Sequence, residues 1–286
     1  MMRHKPMLAY PVSDKPIDYT KPVFMQPKLD GVRCLIQAEK LPFDMGYEPV
    51  AYSRTGKLWK NIDHILQSLK PFFAGNPDII LDGELYNHAL RDDFEKIISC
   101  VRKQKPTPMD RAESRKLVQF HCYDIVDETM KFEDRCNFVF TNLRDAYGVR
   151  TVATTKGIFS QDQAKAVHKM NLEAGYEGSI LRLNDVYQCK RSHSLRKFKD
   201  FHDAEAVITD WVEGKGKRKG TIGKFMAIDA DGNTFGIPVM DNFKKLQTMF
   251  KEMQGWVGKE ATFTYFERTK ANSYRHPLFK AIRDYE

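Results

Sequence analysis

Six short stretches of this 286-residue chain carry side chains able to do nucleophilic or phosphate chemistry. The first is KLDGVR, in which Lys28 and Arg33 bracket an Asp-Gly pair. A lysine amine is a nucleophile only when unprotonated, and its ordinary pKa lies far above neutrality. A neighbouring cation, a metal ion or burial lowers that pKa. Arg33 is a candidate neighbour, and a turn at Asp30–Gly31 is expected to bring it to Lys28. Gly31 would also let a phosphate approach the backbone. The plain alternative is a hairpin with two surface cations.

The other five stretches follow in chain order. SRTG (53–56) sets Arg54 beside a glycine turn, and LDGEL (81–85) places Glu84 after a second Asp-Gly pair. FHCYDI (120–125) holds Tyr123, and YEGSI (176–180) puts Glu177 just ahead of a strand. LRKFK (195–199) alternates Lys197 with Lys199, so a period of two turns both amines to one face of a strand. Two such cations invite an anion between them. Taken singly, each stretch also reads as ordinary structure: a hairpin, a core aromatic, a solvated carboxylate, a pair of edge-strand lysines.

The elements that must position these residues are legible from periodicity. Residues 22–38 read as strand, turn, strand, and 51–59 as an extended segment with a glycine turn. Ile62, Ile65, Leu66 and Leu69 share a helical face, as do Phe94, Ile97, Ile98 and Val101. IILDGELYN (79–87) is expected to be interrupted by a hairpin at its Asp-Gly. The proline-containing, polar segment 103–116 reads as a loop, and 117–127 as a buried strand. Ser160 and Gln163 form a capping box for a helix that stops at Gly175, and a strand follows it. After Lys199 short strands dominate, with one helix at about 242–253 and an Asp-Gly turn in IDADGN. That is the pattern of a small β-barrel such as an OB-fold. The boundary is placed near 201, and no internal repeat or low-complexity tract is present.

Composition bounds the rest. Hydrophobic residues at 42% and charged residues at 29% describe a core-forming protein. No apolar run approaches a membrane span and no secretory signal is visible. Five cysteines without a CxxC pair argue against a structural zinc site and for a reducing, cytoplasmic setting. The net charge of +8 is concentrated before residue 202, because 202–286 holds fourteen Lys/Arg against twelve Asp/Glu. YQCKRSHSLRKFK (187–199), which includes Arg191, has five cations and no acid. GKGKRKG (214–220) adds Lys215, Lys217, Arg218 and Lys219. A polyanionic partner fits these runs, and so does a pair of solvated loops.

In this order the stretches resemble the motifs of the covalent nucleotidyltransferase superfamily, the polynucleotide ligases and mRNA capping enzymes. KLDGVR looks like motif I, SRTG like motif Ia, LDGEL like motif III, FHCYDI like motif IIIa, EGSI like motif IV and LRKFK like motif V. RHPLFKAIRD (275–284) is similar to the C-terminal motif of ATP-dependent DNA ligases, so the resemblance spans nearly the whole chain. The family is the ATP-dependent DNA ligases of compact viral or bacterial type.

The resemblance implies an α+β fold. Residues 1–201 would be a nucleotidyltransferase (ATP-grasp-like adenylation) domain of antiparallel sheets flanked by helices, and 202–286 an OB-fold β-barrel. It implies that Lys28 attacks the α-phosphate of ATP to form a lysyl–AMP. Glu84 would meet the ribose hydroxyls, Tyr123 would stack on adenine, and Gln26 would sit near the adenine edge. Phenylalanine is commoner at the position of Tyr123, a departure that keeps the stacking face. Glu177 would hold Mg²⁺ or Mn²⁺, while Lys197 and Lys199 contact the α-phosphate. Arg33 and Arg54 would hold the ribose and the 5′-phosphate of a nick, and Arg283 would orient the pyrophosphate. Arg191 and the four cations of GKGKRKG would contact DNA.

The expected partner is nicked duplex DNA, bound by a monomeric cytoplasmic enzyme, in the host cytoplasm for a viral one. NAD-dependent ligases carry a nicotinamide-recognition domain and a four-cysteine zinc finger that have no counterpart here. With 27 residues ahead of Lys28, no separate helical DNA-binding domain is expected. A capping guanylyltransferase or RNA ligase is the alternative enzyme. A non-catalytic OB-fold nucleic-acid-binding protein is the alternative of another class.

Overall fold

A computed structural model describes residues 1–44, 46–199, 201–269 and 272–283. It divides into two compact units, Met1–Lys199 and Asp200–Glu286. Among the described residues no helix is long and apolar enough to cross a membrane.

In chain order the first unit runs β1 (Leu8–Pro11), β2 (Val23–Lys28), β3 (Val32–Lys40), β4 (Tyr47–Ser53), α1 (Asp63–Gly75) and β5 (Ile80–Tyr86). It continues with α2 (Phe94–Val101), α3 (Pro108–Leu117), β6 (Gln119–Ile125), α4 (Phe132–Asn142), β7 (Val149–Thr151) and β8 (Thr155–Ile158). It ends with α5 (Gln161–Glu173), β9 (Gly178–Leu183) and β10 (Arg191–Phe198). These strands form two five-stranded sheets: sheet I in the order β1-β10-β9-β2-β8, and sheet II in the order β4-β3-β5-β6-β7. Pairing is antiparallel except for β1 with β10 and β6 with β7. Sheet II packs its inward residues, Cys34, Ile36, Leu81, Leu85 and Phe120 among them, against Ile65, Leu69 and Phe73 of α1 and Ile97 and Val101 of α2. Sheet I has its own core of Val23, Met25, Leu181, Ile158 and Ala164.

Three expectations are corrected here. KLDGVR is not a hairpin, because β2 belongs to sheet I and β3 to sheet II. The Asp30–Gly31 segment hands the chain from one sheet to the other. Gly31 is needed there for close approach: a Cβ would meet the Leu85 carbonyl oxygen and come within 2.7 Å of Glu84 Cγ. LDGEL contains no turn either. β5 runs unbroken through Asp82–Gly83 because it is paired on both sides, with β3 and with β6. Gly83 makes room for β6, since a Cβ would lie 2.5 Å from both His121 O and the Phe120 ring. The third correction is 103–116, whose second half is α3. Thr107 accepts from Asp110 N, Asp110 reaches back to Thr107 N, and Pro108 opens the helix. A capping box and an N1 proline outweigh the low apolar content.

The helix read from Ser160 is α5, with the Ser160 hydroxyl accepting from Gln163 N. Gln163 Oε1 accepts from Phe159 N, one residue earlier than a strict box requires. Gly175, at φ +83°, ends it in the left-handed region.

The second unit contains β11 (His202–Glu213), β12 (Ile222–Ile228), β13 (Thr234–Pro238), α6 (Phe243–Lys251) and β14 (Glu260–Tyr265). A short pair, β15 (Glu267–Arg268) and β16 (Tyr274–Arg275), precedes β17 (Leu278–Ile282). Its antiparallel sheet has the order β13-β12-β11-β14-β17. Among the described residues the two edge strands are not paired with each other, so this five-stranded sheet is open along one seam, as the partly open barrel of an OB-fold allows. Here the Asp-Gly turn does form: Asp231–Gly232 links β12 to β13, with Gly232 at φ +84°.

Candidate active site

Sheet I brings three charged residues to one end of three adjacent strands. Lys28 is the last residue of β2 and pairs in register with Gly178, the first of β9. Glu177 directly precedes β9 and its N–H donates to the Lys28 carbonyl, 3.2 Å away. On the other side of β9, Phe198 pairs with Ser179, so Lys199 emerges beside Glu177 as well. The central strand therefore offers a carboxylate to a lysine on each flank. Lys28 Nζ donates to Glu177 Oε2, and Lys199 Nζ donates to Oε1. The carboxylate is only 5% exposed, against 21% for Lys28 and 12% for Lys199. Gly178 permits the crowding, because a Cβ there would strike the Phe198 carbonyl.

Lys197, two residues before Lys199, completes the group. Burial lowers its pKa first, and the Lys28 ammonium then lowers it further. Lys197 is thus close enough to Lys28 for the two charges to interact. Arg33 instead forks onto Asp82, with Nε 2.6 Å from Oδ1 and Nη2 2.5 Å from Oδ2. Tyr187 OH donates to the same carboxylate at 2.7 Å, and Arg33 Nη2 also donates to Met7 O at 3.2 Å. Burial disfavours this guanidinium's charge, but Asp82 overrides it and raises the pKa.

Sheet II contributes Glu84 and Tyr123. Tyr123 OH donates to Glu84 Oε2 at 3.2 Å. Burial raises the Glu84 pKa to about 7, against the opposing charges of Arg33 and Lys28. A carboxyl whose folded pKa exceeds its ordinary 4.5 stabilises the fold fully below about pH 4.5. That contribution is lost as pH rises through about 7. Glu84→Gln removes this decline, which urea unfolding across that window detects. Parallel stability–pH curves for parent and variant would show that Glu84 does not titrate in this way.

Gln26 is buried in β2. Its Nε2 donates to Tyr123 O at 3.0 Å and to Thr154 Oγ1 at 2.9 Å, while Oε1 accepts from Arg182 Nε at 2.7 Å. Gln26 and Tyr123 both line a cleft of about 420 Å³ whose walls include Cys122, Val139 and Thr151 to Thr154. The donor set suits a hard divalent cation. Glu177 offers carboxylate oxygens, and Mg²⁺ commonly takes one or two carboxylates and completes its shell with water and substrate phosphate.

A family profile described as ATP dependent DNA ligase domain matches residues 6–199, the stretch that holds all of these side chains. The chain belongs to the ATP-dependent DNA ligase domain family. A DNA ligase of African swine fever virus is 27% identical over 215 residues, which cover 72% of this chain and 48% of the viral protein. The chain thus spans about half the length of the viral relatives it matches. A solved structure of Lig E DNA ligases, described as binding DNA with a minimal scaffold, has a TM-score of 0.77 at 22% identity. It covers 99% of this chain and all of that one. The bacteriophage T7 ATP-dependent DNA ligase in complex with ATP has a TM-score of 0.53 at 15% identity, covering 98% of both chains. At these identities the structural likeness concerns the fold.

Other expected site residues of this ligase-family chain are exposed or have partners within their own unit. Arg54 is exposed in the turn after β4. Arg191 opens β10, where Nη1 donates to Ala9 O at 2.5 Å and the guanidinium covers the Tyr10 ring. Lys215, Lys217 and Lys219 are exposed on the loop between β11 and β12. Arg218 differs from them. Its Nη2 donates to Ile222 O and Val239 O, at 3.1 and 2.8 Å, so it clamps the loop to its own sheet. Arg283 pairs with Glu205 within the second unit. Asp284, the last residue of RHPLFKAIRD, lies outside the described residues.

Sequence reasoning missed Asp82, Asp124, Arg135 and Arg182. Asp124 is fully buried and accepts from Arg135 Nε at 2.8 Å and Arg182 Nη1 at 2.6 Å. Since Arg182 belongs to sheet I and Asp124 to sheet II, this cluster ties the sheets together behind Tyr123 and Gln26. A polar residue at an inward strand position, as in YDI and LRL, was the available signal.

Proposed function

We propose that the protein is an ATP-dependent DNA ligase that seals 3′-hydroxyl/5′-phosphate nicks in duplex DNA through a lysyl–AMP on Lys28. The first unit would be the nucleotidyltransferase domain and the second an OB-type domain that helps hold the duplex. The observation that carries this reading is the group Lys28–Glu177–Lys199, with Lys197 beside it and Glu84 opposite.

Lys28 donates to the Glu177 carboxylate, and Lys197 stands close enough for its charge to act on Lys28. A divalent cation on Glu177 would supply positive charge to the α-phosphate and compete with Lys28 for the carboxylate. The Lys28 amine, having lost its proton, attacks the α-phosphorus. A P–N bond forms, the P–O bond to the β-phosphate breaks, and pyrophosphate leaves. Lys197 and Lys199 offset the charge that builds on the α-phosphate oxygens. The 5′-phosphate of the nick then attacks the same phosphorus, and the P–N bond breaks to give a DNA adenylate. Finally the 3′-hydroxyl attacks the nick phosphate and AMP leaves. The cleft beside Gln26 and Tyr123 suits the adenine, and Glu84 the ribose hydroxyls.

Incubation with α-labelled ATP and Mg²⁺ should give a labelled protein whose P–N bond is cleaved by acid and survives alkali, and the protein should seal a singly nicked duplex with ATP as the only nucleotide. Labelling by GTP alone would indicate a capping enzyme, and no labelling a binding module.

The exposed loop lysines should track DNA phosphates. Neutralising Lys215, Lys217 and Lys219 together should reduce the slope of log affinity against log salt by up to about 2.7, with lysyl–AMP formation intact. Arg218 is left in place because it holds the loop. An unchanged slope would make these lysines solvated surface charges.

A further inference from the structure

Away from the active site, three side chains of unlike chemistry converge on one point of the first unit. His4 precedes β1, Glu128 follows β6, and Cys189 lies between β9 and β10. Their ligand atoms all lie within 4.8 Å of one another. His4 Nδ1 is 3.9 Å from Glu128 Oε2 and 3.7 Å from Cys189 Sγ. Tetrahedral zinc with ordinary bond lengths separates nitrogen from oxygen by about 3.4 Å and nitrogen from sulfur by about 3.6 Å. The observed edges need only a small contraction.

A proton relay is a poorer reading of the same residues. A relay needs the thiol on one ring nitrogen and the carboxylate on the other. Here both address Nδ1. His4 Nδ1 faces a carboxylate oxygen and a thiol sulfur at once, an arrangement that one cation can bridge.

The ligands stand on a built framework. Leu8 N donates to Lys190 O, Tyr187 N to Asp127 O, and Met7 N to Tyr187 OH. Each of the three segments is therefore hydrogen-bonded to another within four residues of its ligand. Beneath them Met7, Tyr187 and Leu195 form a small core against which Val126 and Cys189 pack.

We propose that His4, Glu128 and Cys189 bind one Zn²⁺ ion, with water as the fourth ligand. Thiolate and carboxylate together balance the ion's charge, and the sulfur and imidazole ligands select it over Mg²⁺. Binding would require the Cys189 thiol to give up its proton to solvent. The ion would cross-link residues 4, 128 and 189. It would thereby stiffen the segment whose Met7 carbonyl accepts from Arg33.

The test is titration of the whole protein with Co²⁺, and then Zn²⁺, in excess Mg²⁺, which occupies sites built of oxygen alone. One equivalent of Co²⁺ should give a thiolate-to-metal charge-transfer band that Zn²⁺ abolishes. Cys189→Ser should eliminate the band. His4→Gln and Glu128→Gln should each weaken Zn²⁺ binding at least tenfold. Zn²⁺ should raise the melting temperature of the parent and not of Cys189→Ser. All three side chains are at the surface or half-buried, so melting without metal should be unchanged in the variants. Absence of the band, its survival in Cys189→Ser, or equal Zn²⁺ affinity in His4→Gln would overturn the site. Because the readouts are spectroscopic and thermal, the result is independent of whether the chain seals DNA.

Discussion

Lys28→Ala should form no lysyl–AMP and should lose at least about 10³-fold in nick sealing with ATP, because it removes the proposed nucleophile. The same variant should still seal a nick that already carries a 5′-adenylate. In that step the 3′-hydroxyl attacks and AMP leaves, and no bond to the lysine forms or breaks. The step should be slower, by up to about 10²–10³-fold, since a cation beside the phosphate is gone. Glu177 would also keep its pairing with Lys199. Lys28→Arg should fail with ATP for a different reason, as a guanidinium keeps the charge but does not deprotonate. Gel analysis of labelled protein and of both nick substrates checks each outcome. Sealing of ordinary nicks with ATP by either variant would make Lys28 a structural partner of Glu177 and remove the mechanism.

The largest effect on stability should come from Asp124→Asn. Asp124 is 0% exposed, and its partners Arg135 and Arg182 are 1% and 4% exposed. The amide keeps the shape but leaves two buried guanidiniums without a counter-charge. Removing one partner of a buried ion pair costs about 3–5 kcal/mol, a large share of the roughly 5–15 kcal/mol that holds a domain folded. The urea midpoint should fall accordingly. Replacing the whole cluster, by Asp124→Leu with Arg135→Met and Arg182→Met, should recover part of the loss, since apolar groups of similar volume need no partner. A loss below about 1 kcal/mol in Asp124→Asn would show that water or another group satisfies the arginines, and that the cluster does not tie the sheets.

What the sequence determined by itself was local. The amphipathic faces of α1 and α2, the Ser160 cap, the Gly175 stop and the strand at 119–125 all follow from residues a few positions apart. So do the identities and order of Lys28, Glu84, Glu177, Lys197 and Lys199, and the change of texture after Lys199. The capping box at Thr107 was equally local, and composition obscured it.

The tertiary structure decided which residues meet. The chain has three Asp-Gly pairs, and only Asp231–Gly232 turns a hairpin. Asp30–Gly31 crosses between sheets, and Asp82–Gly83 lies within a strand that has neighbours on both sides. The dipeptide's preference for a turn is worth little against the hydrogen bonds of a central strand, so its context sets the outcome. The same holds for charge. Arg33 is five residues from Lys28, yet it pairs with Asp82, 49 residues away, because the two lysine-motif strands diverge into different sheets. Glu177 reaches Lys28 across 149 residues because antiparallel pairing sets Gly178 opposite Lys28. Coulomb attraction acts on separation in space, and strand register fixes that separation.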